Sequence, residues 1–78
     1  MAKLELYGTA RCPHTSEMRE WLEWRRFSFV EYDVEADPAA RRRMRELCGG
    51  QRCVPILIED GKVRQIGWQG RSCMVDGE

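Results

Sequence analysis

No stretch of this chain approaches the ~20 consecutive apolar residues that a membrane-crossing helix needs. Net charge is missing as well: 13 Lys and Arg balance 13 Asp and Glu. The first absence argues against a membrane protein, and the second against a dedicated nucleic-acid binder, which shows a basic excess. The segment Met1–Tyr7 has no apolar leader and enters patterned sequence at once, so the expectation is a soluble cytoplasmic protein. Linkers, repeats and low-complexity tracts are absent, and 78 residues leave room for one domain, 1–78. A domain this short buries only ~60–65 % of its unfolded surface, so its stability margin is thin. Histidine occurs once, at His14, and neither a C-x2-C pair nor a Cys/His finger spacing is present, so no metal site is expected.

Cysteine, by contrast, is plentiful: Cys12, Cys48, Cys53 and Cys73, with Cys48 and Cys53 as a C-x4-C pair. In a secreted protein of this size four cysteines would form a disulfide frame. Without a leader, redox chemistry or metal binding is the better reading.

Alternation over Lys3–Tyr7 predicts a strand with Leu4 and Leu6 on one face and Lys3, Glu5 and Tyr7 on the other. From about Thr15 to Arg26 the period becomes helical, with Met18, Trp21, Leu22 and the stem of Arg25 on one stripe. Glu17 and Glu20 near its start and Arg25 and Arg26 near its end suit the helix dipole. Phe27–Val34, aromatic and β-branched, reads as a second strand. Asp37-Pro38 predicts a helix start, with Asp as N-cap and Pro in the first turn. Ala40, Met44 and Leu47 form that helix's apolar stripe, and Gly49-Gly50 supplies its left-handed end. Arg41, Arg42, Arg43 and Arg45 read as a solvated face balanced by Glu35, Asp37 and Glu46. Val54–Glu59 and Lys62–Ile66 flank Asp60-Gly61, a two-residue hairpin signal. The order β-α-β-α-β-β predicts an α/β sheet whose first two strands are parallel and whose final hairpin adds an antiparallel edge. The segment from Gly67 to Glu78 has no helical stripe and is expected to be a short irregular C-terminal tail.

The chemistry centres on Cys12-Pro13-His14-Thr15. The thiolate is the nucleophile of disulfide exchange, and a free thiol is mostly protonated near neutral pH. Cys12 stands where a strand ends and a helix begins, so unpaired N–H groups and the helix dipole favour its anion. Arg11 adds positive charge, and the Thr15 hydroxyl is placed to donate to the sulfur. His14 is a candidate for proton transfer to the leaving thiol, set against the plainer reading of a solvent-facing side chain.

This element order, with the Cys-Pro-x-x turn after strand one, Asp33–Pro38 leading into helix two, Gly49-Gly50 before Val54-Pro55, and Asp60-Gly61-Lys62 before Ile66-Gly67, resembles the glutaredoxin branch of the thioredoxin superfamily. The resemblance covers roughly Leu4 to Gly67 and implies a thioredoxin-like fold. It further implies that Pro55 is cis, and that Val54 offers its backbone to an extended thiol peptide as a short β-augmentation. Gly67, Trp68 and Arg71 fall where the family meets its thiol substrate.

Departures from the family pattern are specific. Thr15 stands where dithiol members carry a second cysteine, and Pro13 where cluster-carrying single-thiol members carry glycine. Thr9 replaces a glutathione-binding lysine, and Trp68-Gln69-Gly70 replaces a glycine and an acidic pair. The nucleophile therefore carries over while the glutathione site does not, although Arg11 or Arg71 could hold a carboxylate in its place. Cys53, beside Val54-Pro55, and Cys73, in the tail, are both candidates to resolve a Cys12 mixed disulfide, while Cys48 reads as a packing residue. The leading expectation is a monomeric thiol–disulfide oxidoreductase acting on a protein or glutathione disulfide. It would hold no tightly bound cofactor, with glutathione as co-substrate or a thioredoxin reductase as donor. The alternatives are an iron–sulfur cluster-binding dimer and a non-catalytic interaction module.

Overall fold

The computed structural model describes residues 3–50 and 52–75. The sequence-based expectations for residues 1–2 and for the tail at 76–78 lie outside the described residues. The elements run β1 (Leu4–Gly8), α1 (Pro13–Trp24), β2 (Phe29–Asp33), α2 (Pro38–Leu47), β3 (Cys53–Val54), β4 (Ile56–Glu59), β5 (Lys62–Ile66) and β6 (Cys73–Met74). Four strands form a sheet in the order β2-β1-β4-β5, with β1 parallel to β2 and the remaining pairs antiparallel. This is the mixed α/β arrangement of the thioredoxin fold. No helix among the described residues is long and apolar enough to cross a membrane.

Central strands alternate their side chains between two apolar layers. Leu4 and Leu6 of β1 and Leu57 of β4 pack with Met18 and Leu22 of α1. Tyr7 of β1 and Ile56 and Ile58 of β4 pack with Ala40 and Met44 of α2. Each such buried side chain contributes about 1.5–3 kcal/mol. The alternation expected for β1 holds, with Leu4 and Leu6 on one face and Tyr7 on the other, and both faces are buried. Its polar groups find partners, since Arg43 Nε donates to the Tyr7 hydroxyl at 2.7 Å and the Tyr32 hydroxyl donates to Glu5 at 3.4 Å. Tyr7 stacks on Tyr32 with centroids 5.0 Å apart, and the Arg43 guanidinium lies 4.7 Å from the Tyr32 centroid. Arg43 is thus not part of a purely solvated face. Burial raises the Tyr7 phenol above its usual pKa, opposed in part by the Arg43 hydrogen bond.

Helix α1 begins two residues earlier than its apolar stripe suggests, because Pro13 fits the first turn, where a missing N–H costs nothing. Its first turn holds no acid and its last turn no base, so the expected dipole complement is absent. Arg25 is instead the C-cap, and Arg26 takes a left-handed φ of 61°. Asp37 caps α2 by accepting from the Ala39 and Ala40 N–H groups at 3.1 and 3.2 Å. Asp60 and Gly61, both with positive φ, turn β4 into β5.

The tail is not irregular throughout. After Gly67, Trp68 and Arg71 exchange backbone hydrogen bonds across a Gln69-Gly70 turn with positive φ at both residues. The chain then returns as β6, antiparallel to β3. Gly67 is obligatory in that path, since a Cβ there would lie 2.7 Å from the Arg71 carbonyl oxygen, and its φ is 82°.

Candidate redox site

Strand β1 ends at Gly8, where the chain must pass close under α1. A Cβ at Gly8 would meet the Thr15 side chain at 2.2 Å, so glycine alone permits this approach. The turn that follows makes Cys12 the N-cap of α1: its carbonyl accepts from Thr15 N and Ser16 N at 3.1 and 3.4 Å. A cap side chain normally places an acceptor against the first-turn N–H groups. A sulfur anion at this position sits at the positive end of the helix dipole.

Cys12 is only 2 % exposed. It lies in the same apolar layer as Val34, Val54 and, from the tail, Val75. Cys12 is joined to Cys73 by a disulfide, with Cα atoms 6.0 Å apart and a sequence separation of 61. That distance lies inside the ~4.4–6.8 Å window that a disulfide requires. The Cys12 sulfur also lies 4.0 Å from the Val54 carbonyl oxygen. A cleft of about 150 Å³ opens beside it, lined by Thr9, Arg11, Cys12, Glu35, Cys73 and Met74.

Thr15 is fully buried, and its hydroxyl accepts from Thr9 N at 3.4 Å instead of donating to the sulfur. His14 is the second residue of α1, where its Nδ1 lies 2.9 Å from Glu17 Oε1. Arg11 forms a two-point ion pair with Glu35, which holds that carboxyl below its usual pKa. The positive charge expected from Arg11 therefore arrives with a carboxylate attached, which weakens its pull on a thiolate.

The Val54–Pro55 peptide bond is cis. Gly67 N donates to the Pro55 carbonyl at 2.7 Å, tying the end of the hairpin to this loop. Val54 is buried, and the strand edge expected to receive a thiol peptide is covered by β6, with Cys73 opposite Val54. Cys53 keeps its thiol, which donates to Met74 Sδ at 3.7 Å. Cys48 is also a free thiol, and burial raises its pKa. Trp68 does not stand open beside the nucleophile: it packs on Trp21 with centroids 5.7 Å apart, in the α1 layer. Arg71 is exposed on the turn that leads into β6. Cys12, Cys73, Arg11, Val54 and Pro55 are thus brought to one place. Thr15 and Trp68 serve packing, and His14 faces Glu17.

Two participants are not singled out by the sequence. Glu35 reads there only as a counter-charge for the arginines. Val75, buried to 3 % exposure, packs with Cys12 and Val54. The signal for Val75 is faint: a cysteine and a valine two residues apart put both on one face of any extended segment.

Among the described residues no group of three or more His, Cys, Asp and Glu side chains is assembled for a metal ion. A cluster shared between two chains needs an outward cysteine, and Cys12, covered by β6 and bonded to Cys73, does not fit it in this arrangement.

Comparison with known proteins agrees with the geometry. The sequence model described as Glutaredoxin matches residues 4–64. The chain is similar to a probable glutaredoxin, slr1562, of Synechocystis, at 35 % identity over 60 residues, which is 76 % of this chain and 55 % of that protein. It therefore spans little more than half the length of that relative. A glutaredoxin-like 8.6 kDa protein in a rubredoxin operon of Clostridium pasteurianum is 32 % identical over 77 % of this chain and 79 % of its own length. Among solved structures, the thioredoxin-like protein BC3987 superposes with a TM-score of 0.75 at 30 % identity, covering 85 % of this chain and 88 % of that one. Glutaredoxin 1 of Francisella tularensis, complexed with cacodylate, has a TM-score of 0.60 at 20 % identity, covering 87 % and 85 %, a likeness of fold alone.

Proposed function

The chain belongs to the glutaredoxin family, and we propose that it is a two-cysteine thiol–disulfide oxidoreductase in which Cys12 attacks and Cys73 resolves. The observation that carries this reading is the Cys12–Cys73 disulfide at the N-terminus of α1. In the reduced protein the Cys12 thiolate attacks one sulfur of a substrate disulfide. The substrate S–S bond breaks, and the leaving thiolate takes a proton from water. Cys73, as thiolate, then attacks the Cys12 sulfur, and the second substrate thiolate departs. The substrate gains two electrons, and the Cys12–Cys73 pair loses them. A dithiol donor resets the pair by the same exchange.

Several features favour a protein disulfide as substrate over glutathione. Thr9 is buried, Trp68 is packed on Trp21, and Arg11 is already paired with Glu35. Each charge-assisted hydrogen bond missing from a glutathione site costs about 1.5–3 kcal/mol. Glutathione enters this reading as a weak co-substrate, and a thioredoxin reductase as the stronger donor to a monomer. No tightly bound cofactor takes part.

The test is reduction of a protein disulfide by the wild type, Cys12→Ser and Cys73→Ser, with glutathione or thioredoxin reductase as donor. The expected result is loss of turnover in both variants, with a trapped mixed disulfide on Cys12 in Cys73→Ser. Full turnover in Cys73→Ser would refute the resolving role.

A further inference from the structure

Strand β6 holds only Cys73 and Met74, and a two-residue ribbon has little stability of its own. Three contacts keep it on β3. Its backbone pairs with Cys53 and Val54, its sulfur is bonded to Cys12, and one residue later Val75 donates its N–H to the Arg52 carbonyl at 2.8 Å. The Val75 side chain then enters the layer formed by Cys12, Val54 and the α2 face. Residues on either side of the cysteine are not gripped in this way: Met74 is 70 % exposed, and Arg71 and Ser72 are exposed. The β3 edge therefore reads an incoming strand mainly through its backbone, its sulfur and the side chain two residues after the cysteine, while the exposed Met74 meets it only at the Cys53 thiol. None of these contacts requires the strand to come from the same chain.

From this, and resting on the reading of Cys12 as nucleophile, we infer that β6 occupies the partner's seat. The partner that fits is an extended protein segment carrying a cysteine followed two residues later by a branched apolar side chain. It would add to β3 as an antiparallel strand, the β-augmentation mode of peptide recognition. Cys73 and Val75 face the same side of their strand, so backbone register alone places the apolar residue once the sulfur is bonded. The oxidised protein fills this seat with its own tail, and the tail must leave before a substrate strand can enter. Substrate choice and resolution thus share one surface: the strand that releases the product is the strand that replaces it.

The experiment uses the full-length Cys73→Ser chain and two peptides, Gly-Arg-Ser-Cys-Met-Val and Gly-Arg-Ser-Cys-Met-Ser, each as its mixed disulfide with thionitrobenzoate. The Cys12 thiolate attacks the peptide sulfur, that S–S bond breaks, and the better leaving group, thionitrobenzoate, departs and is read by absorbance. Peptide mapping locates the adduct. The valine peptide is expected to add to Cys12 at least about tenfold faster than the serine peptide, from burial of one valine side chain. In Cys73→Ser/Val75→Ser, where the tail competes less, the valine peptide is expected to react faster still, with the preference retained. Equal rates for the two peptides at Cys12 in the Cys73→Ser chain would overturn the inference, whatever the second variant does. Adducts at Cys48 or Cys53 in place of Cys12 would overturn the nucleophile assignment itself, a distinguishable failure.

Discussion

Reducing the Cys12–Cys73 bond is expected to remove a large share of the domain's stability. The bond ties residues separated by 61 positions. The loop-entropy relation gives roughly 4 kcal/mol for a closed loop of that length, most of it through the unfolded chain. A domain of 78 residues has a total stability of about 4–12 kcal/mol. The loss is therefore between a third of the total and all of it. With a urea slope of about 1–1.5 kcal/mol per molar, the unfolding midpoint should fall by roughly 3–4 M on reduction. Tryptophan fluorescence is a suitable probe, because Trp21 and Trp68 pack against each other in the α1 layer. Urea melts of the oxidised and phosphine-reduced chain measure the shift directly, and Cys73→Ser melted with and without reductant is the control. Oxidised and reduced midpoints within about 0.5 M of each other would show that the tie contributes little. The unfolded ensemble would then have to be compact enough to hold the two sulfurs near each other without a bond.

Other expectations follow from the site. In the reduced protein, limiting alkylation at neutral pH should label Cys12 before Cys48, whose thiol pKa is raised by burial, and mass spectrometry after digestion reports the order. Glu35→Gln removes the carboxylate that accompanies Arg11, so the Cys12 thiol pKa should fall, as read from the pH dependence of its alkylation rate. The Glu35 carboxyl is held below its usual value, so the ion pair's contribution is complete above the unfolded pKa and is lost as pH falls through the lower folded one; a carboxyl carbon titration by NMR should inflect below the ordinary glutamate range. Gly67→Ala forces a left-handed φ and a close approach to the Arg71 carbonyl; it should destabilise the fold by at least about 1 kcal/mol and slow re-formation of the Cys12–Cys73 bond, measured by denaturant melts and timed thiol trapping.

The sequence carries the element order well because its punctuation is local. Asp37-Pro38 and Asp60-Gly61 each fix a turn or a cap by their own backbone chemistry, and both stand where expected. The two-sided burial of β1 is not visible there, because Glu5 and Tyr7 are polar by type, and only the later Arg43 and Tyr32 make them suitable for an interior. The tail is harder still. A two-residue strand has no period to detect, and the partners of β6 lie some twenty positions earlier, in another two-residue strand. The family resemblance puts Trp68 at the thiol site, whereas the aromatic cluster with Trp21 draws it to the α1 layer. Cys12 at the strand-to-helix turn is legible because its position depends on a single junction. The choice between Cys53 and Cys73 as its neighbour is not, because it depends on how the whole chain returns.

The covalent tie also has a mechanical side. If the chain is held at Lys3 and Val75 and stretched, the load in the oxidised protein passes from β1 through the Cys12–Cys73 bond into the tail. Only the short arms 3–12 and 73–75 can lengthen, and α1, α2 and the β4–β5 hairpin lie inside a ring that carries no tension. Cutting the bond releases the chain held between Cys12 and Cys73, a sequence separation of 61 and roughly 200–220 Å at full extension. The protein is thus nearly inextensible when oxidised and compliant when reduced, and its response to a pulling force reports its redox state.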